Sequence, residues 1–223
     1  MNRTSCIGLG VSAVLVSMAS GGASGGIVPP PWDPALPLQT LQAWTFASPT
    51  GSPFAPSVVN NPNGFPEMTA SASATYLPDN PLTPNALGTG VWCLGANDSL
   101  NFFIPNYNQQ FRKEIFVSIK FSTPASGAGV PTNTVTGVSG APGTPSGLVY
   151  TVEPVSFGVS MIHYHTSLPT CEDFNVSIQV PTGLPGAVSY IEQVVVQTVC
   201  VPTPGAVGLA CAGGLWAARR RRN

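Results

Sequence analysis

Between residues 41 and 200 apolar and polar side chains alternate in short runs, and each run ends at a turn signal. The clearest is Lys113 to Phe121, where Ile115, Val117, Ile119 and Phe121 fall on one side and Glu114, Phe116, Ser118 and Lys120 on the other. A period of two residues predicts a strand with one face in a core. Phe174 to Val180 repeats it, with Phe174, Val176, Ile178 and Val180 opposed to Asn175, Ser177 and Gln179. Ser99 to Ile104 sends Leu100, Phe102 and Ile104 to one side. Gln42 to Phe46, Met68 to Leu77, Gly90 to Leu94, Leu148 to Val152, Val155 to His165 and Ser189 to Cys200 are further strand candidates.

The stretch Ser122 to Ser146 is uncharged and, past its first residues, has no large side chains. It predicts a long loop or hairpin, with Thr132 to Val138 as a candidate edge strand. All 24 prolines fall from Pro29 to Pro204 and leave gaps of strand length. Asn61-Pro62-Asn63-Gly64, Asn80-Pro81 and Ala141-Pro142-Gly143 supply turns. Roughly nine strands with such spacing predict an all-β antiparallel sandwich, of jelly-roll or galactose-binding-like kind. Each strand would bury three or four large side chains, at roughly 1.5–3 kcal/mol each.

The two ends follow a different pattern. Arg3 precedes an uncharged, mostly apolar run from Cys6 to Met18, and small residues permit cleavage after Ala19 or Ala23. This is the layout of a secretory signal peptide over residues 1–23, with a signal helix. Residues 24–40 hold Pro29-Pro30-Pro31, Pro34 and Pro37 and predict an extended linker. At the other end, residues 205–218 carry no charge and Arg219, Arg220, Arg221 and Arg222 follow. As a helix those 14 residues span about 21 Å, short of the ~30 Å hydrocarbon core. Arginines resist crossing, which leaves the β-domain on the outer side of a membrane.

Val201, Pro202, Thr203, Pro204 and Gly205, the apolar stretch through Gly213-Gly214-Leu215, and Arg219 to Arg222 resemble the PEP-CTERM class of C-terminal sorting signals. The resemblance covers residues 201–223. It implies recognition by an exosortase, a membrane transpeptidase, after export, with transient tethering at the inner membrane and then display at the cell surface or in the matrix. Thr203 stands where that class usually carries glutamate. QTLQAWTF, VVNNPNGFPE and GVWCL are also similar to exported β-domains that carry such tails, a likeness that transfers no activity.

Charge and cysteine content agree with export. Between the two ends there are three basic residues (Arg112, Lys113, Lys120) against nine acidic ones, a net of −6. No basic patch exists to neutralise phosphates, which disfavours nucleic acid as a partner. Cys6 falls in the signal and Cys211 in the tail, leaving Cys93, Cys171 and Cys200. In an oxidising compartment these make one bridge and one thiol, or an intermolecular bond. Spacing alone leaves the pairing open, and Cys171 with Cys200 closes the shorter loop.

Candidate chemistry is sparse. His163 and His165 are spaced to share a strand face, where they could share a metal as the core of a metal-dependent hydrolase, or stand in solvent at a strand end. Asn97 and Asp98 could bind Ca²⁺ in a turn, or form an ordinary Asx turn. Trp44, Trp92, Tyr107, Tyr150, Tyr164 and Tyr190 could stack on a sugar in a carbohydrate-binding module, or fill a core. No Gly-x-Ser-x-Gly elbow or phosphate loop is present, and no catalytic residue is assigned. The reading is an exported structural or adhesive β-protein, with glycan or exopolysaccharide as the candidate ligand, handled by the export machinery and an exosortase-like enzyme.

Overall fold

In a computed structural model the described residues are 30, 32, 36, 38–46, 53–83, 90–109, 111–124, 129–145, 152–156, 159–181 and 186–201. The signal segment, most of the linker and the tail from 202 onward lie outside them. The described residues are all-β. The strands are β1 Gln39–Thr45, β2 Val58–Asn60, β3 Glu67–Ala70, β4 Thr75–Leu77, β5 Val91–Leu94, β6 Ser99–Ile104 and β7 Arg112–Ser122. They continue as β8 Thr132–Gly137, β9 Thr144–Pro145, β10 Val152–Ser156, β11 Val159–Leu168, β12 Phe174–Gln179 and β13 Ser189–Val201.

They form two sheets whose named strand pairs are all antiparallel. The larger runs β10-β11-β7-β13-β1-β2, with β5 beside the start of β13, β4 beside β5, and β9 beside β11. The smaller runs β3-β6-β12-β8. Their apolar faces meet in one cluster. Trp44, Ile115, Val117, Ile119, Val194 and Val196 come from the larger sheet, and Met68, Leu100, Phe102, Phe174, Val176 and Ile178 from the smaller. The alternation read in β6, β7 and β12 is the alternation that fills this cluster.

The sheets differ on their other faces. In the smaller one the second face is open: Thr69, Asn101, Asn175 and Thr134 are exposed. In the larger one it is covered as well, since Ala43, Phe116, Ser118, Met161, Val195 and Val199 are buried. That explains why β13 reads VVVQTVCV, a nearly continuous apolar run, rather than alternating. A bulge between Ile191 and Gln193 leaves Glu192 as the extra residue of β13.

Several elements depart from the sequence expectation. Met68 to Leu77 is two strands in different sheets, split by a turn in which the Ala74 amide donates to Ser71 O. Its run of Ser and Ala buries too little to hold one strand straight. Ser122 to Ser146 does hold the edge strand expected at Thr132 to Val138, as β8, paired along its whole length with β12, and adds the short β9. Its small residues suit an edge strand, where one neighbour suffices. Val155 to His165 is also divided: β10 ends at Ser156, pairs back to Val159, and β11 continues to Leu168. Pro154 is tolerated because β10 is an edge.

Candidate functional site

His163 and His165 sit within β11, on the covered face of the larger sheet, opposite Ser118 and Phe116 of β7. They do not stand in solvent: His163 is buried and His165 half-buried. Ser118 Oγ is 2.9 Å from His163 Nδ1. The Phe116 ring stacks on the His163 imidazole at 5.4 Å, 8° from parallel. His165 Nε2 lies 2.9 Å from Glu114 Oε2, and Arg112 holds Glu114 Oε1. Trp32 packs on Phe116 and His165 with centroids 6.4 and 6.0 Å away. Burial works to raise the Glu114 pKa, but the hydrogen bonds and charges of His165 and Arg112 outweigh it and hold the carboxyl below its usual range.

The two rings are thus engaged separately, one by a hydroxyl and one by a carboxylate. Glu172 and Asp173 do not join them. Glu172 accepts from Ser139 Oγ at 2.7 Å, and Asp173 Oδ1 accepts from the Asn106 amide at 2.7 Å. Among the described residues no group of three or more His, Cys, Asp or Glu side chains is placed to hold a metal ion. Farther along the same face Glu192 takes Lys120 Nζ at 2.9 Å and Asn80 Nδ2 at 2.8 Å, and Asn80 Nδ2 also reaches Ser122 Oγ at 2.7 Å. The bulge is what turns Glu192 toward these partners.

Asn97 and Asp98 are in the β5–β6 turn, apart from the histidines. Asn97 takes φ 74°, a left-handed conformation that asparagine tolerates. Asp98 Oδ2 accepts from the Gly95 amide at 2.8 Å, and Oδ1 accepts from Ser73 and Ser71. The carboxylate joins this turn to the one between β3 and β4.

At the opposite end of β7, Cys171 and Cys200 form a disulfide with Cα atoms 5.9 Å apart, and Cys93 is a half-buried thiol. Beside the disulfide Lys113 is fully buried, opposite Cys200 in register. Its Nζ donates to Glu172 O and lies 4.4 Å from the centroid of the Phe174 ring. Desolvation lowers its pKa to about 7, against the opposing pull of Asp173 and Glu172.

Of the two roles open to the aromatics in sequence, stacking on a sugar or filling a core, the described ones do not assemble a stacking platform. Trp44, Trp92 and Tyr164 belong to the core, Tyr107 and Tyr190 are half-buried, and Tyr150 lies outside the described residues. Among the described residues the exposed rings are Phe65, 88% accessible, and Phe103, 37%. Phe103 stands on the open face of the smaller sheet. Across the four strands it shares a row with Glu67, Asn175 and Thr136. The next row is Thr69, Asn101, Ser177 and Thr134, and a third holds Ser99, Gln179 and Thr132. The signal for Phe103 was present in the sequence, because it is out of phase with Leu100, Phe102 and Ile104.

No family model matches the chain, and no curated protein matches it. Among solved structures it is similar to the enzymatically active domain of tailspike protein 4 of bacteriophage CBA120, at 10% identity and a TM-score of 0.35. That match covers 63% of this chain and 20% of the other. The chain therefore spans about a fifth of the tailspike protein it matches.

Proposed function

We propose that this is an exported protein, sorted to the cell surface or matrix, whose two sheets make a jelly-roll-like β-sandwich with a structural or adhesive role. The observation that carries the reading is the division of labour among polar groups. The titratable side chains that sequence marks as chemically interesting are taken up in bonds that hold the fold together. His163 serves Ser118, His165 serves Glu114, and Asp98 ties two turns. What is turned outward is a hydrogen-bonding sheet face of hydroxyls and amides with one carboxylate, Glu67, in its cross-strand rows. A metal-dependent hydrolase on His163 and His165 gains no support from rings held by separate partners.

The export part rests on the signal-like residues 1–23 and on the PEP-CTERM-like residues 201–223. An exosortase-like enzyme would read Val201–Gly205, residues 205–218 would be held in the membrane, and Arg219–Arg222 would stay inside. Mass spectrometry of the protein from its native envelope tests this directly. The expected species begins after Ala19 or Ala23 and lacks the arginine cluster. An intact chain in the cytoplasm, retaining both ends, would overturn the proposal.

A further inference from the structure

Building on that reading, we propose that the open face of the smaller sheet binds an uncharged polysaccharide, with Phe103 as its stacking ring. Asn101, Asn175, Ser177 and Thr134 supply the hydrogen bonds.

Charge selects the occupant first. In the three cross-strand rows Glu67 is the one ionisable group, and no lysine or arginine is among them. A polyanion such as nucleic acid or a polyuronate finds no cation in these rows, and a basic partner finds Glu67 alone in them, with the half-buried Asp173, already accepting from the Asn106 amide, one step beyond. Apolar content selects next. A stable protein interface keeps an apolar centre ringed by polar groups, whereas Phe103 is the one large apolar side chain in these rows.

What remains is a field of hydroxyls and amides, each able to donate and accept. Sugar hydroxyls have the same dual character. Asn, Ser and Thr are short, and a sheet spaces them regularly. Strands about 4.8 Å apart and alternate residues about 6.7 Å apart make a field roughly 14 Å on each side, room for a short run of sugar rings. The electron-rich face of a phenyl ring attracts the C–H side of a pyranose, as it does the positive edge of another ring. Phe103 occupies that position between Glu67 and Asn175. Phe65, two residues before Glu67, offers a second exposed ring near the same end.

The test is equilibrium titration of the full chain, solubilised in mild detergent, with a soluble β-glucan, an α-glucan and a galactomannan. Alginate serves as the charged control. Binding is expected to at least one neutral polymer, and to be unchanged between low and high NaCl because no ion pair contributes. Phe103→Ala should weaken it about three- to ten-fold, and Asn175→Ala by a similar factor. Both side chains are exposed, so the thermal midpoints of the variants should match the parent.

Three results would overturn the proposal: no binding to any neutral polymer, binding to alginate alone, or equal affinity of parent and Phe103→Ala. So would a dimer in sedimentation that Phe103→Ala dissociates, which would assign the face to a second copy. None of these touches the cleavage sites found by mass spectrometry, so failure here is distinguishable from failure of the export reading.

Discussion

Lys113 shows how one residue can work against the fold it belongs to. Burial lowers its pKa to about 7, from 10.5. Below about pH 7 folded and unfolded chains both hold the proton, and stability does not vary on its account. Between about pH 7 and 10.5 the unfolded chain still holds a proton that the folded chain has released, so stability rises with pH. In a Cys93→Ser background, which removes thiol exchange, urea unfolding at pH 10 should give a free energy on the order of 3 kcal/mol above that at pH 7. Lys113→Met should abolish the difference, and a flat parent profile would contradict the assignment. Glu114 also makes stability rise with pH, in the acid range, but as a net stabilising group. Its depressed carboxyl contributes stability above the unfolded pKa that is lost as pH falls through the folded one. Glu114→Gln should cost about 1–3 kcal/mol at neutral pH and flatten the acid limb of the same titration. The burial of Lys113 was partly legible, since it is in phase with Ile115, Val117 and Ile119. Its acceptor Glu172 O is 59 residues away, and no local pattern announces it. The histidines were misplaced for a related reason. Period two put both on one face of β11, but that this face is covered depends on Trp32 and on the neighbouring β7.

At the level of elements, strands with one open face were legible and strands covered on both faces were not fully so. β6 and β12 alternate cleanly because their second face meets water. β13 does not, because Val194 and Val196 enter the shared core while Val195 and Val199 are buried on the other side. β8 is legible only as the candidate edge strand Thr132 to Val138, because an edge strand needs only one apolar contact row, and Val135 supplies it. Met68 to Leu77 shows the converse, an alternating run that turns in the middle because Ser and Ala bury almost nothing. The two faces of the smaller sheet should therefore respond unequally to truncation. Phe102 is fully buried and packs against Trp44 at 4.8 Å, so Phe102→Ala should cost about 3–5 kcal/mol. Thr134→Ala, on the open face, should stay within about 0.5 kcal/mol. Chemical denaturation of both variants measures the contrast, and a large loss for Thr134→Ala would mean that this face is covered after all.

For the whole molecule the decisive link is the one between Cys171 and Cys200, which ties the middle of the β11–β12 connection to the last residues of β13. The bond joins the exit of the chain to the segment that leads into the smaller sheet. Its effect should come mostly from restricting the unfolded chain. With the cysteines 29 positions apart, the chain-entropy estimate is about 3–4 kcal/mol. Lys113, Phe174, Asp173 and Asn106 cluster beside it, so opening the bridge also loosens the corner that holds the buried amine. Two effects then oppose one another. Loss of the crosslink destabilises the fold, while water reaching Lys113 relieves part of its desolvation and moves its pKa back up. Reduction should therefore lower the thermal midpoint and also shrink the rise in stability between pH 7 and 10. Cys171→Ser with Cys200→Ser, in the Cys93→Ser background, measures both quantities without a reductant. A lowered midpoint with an unchanged pH slope would show that the corner stays dry without the bond, leaving the crosslink as a purely entropic restraint on where β13 ends.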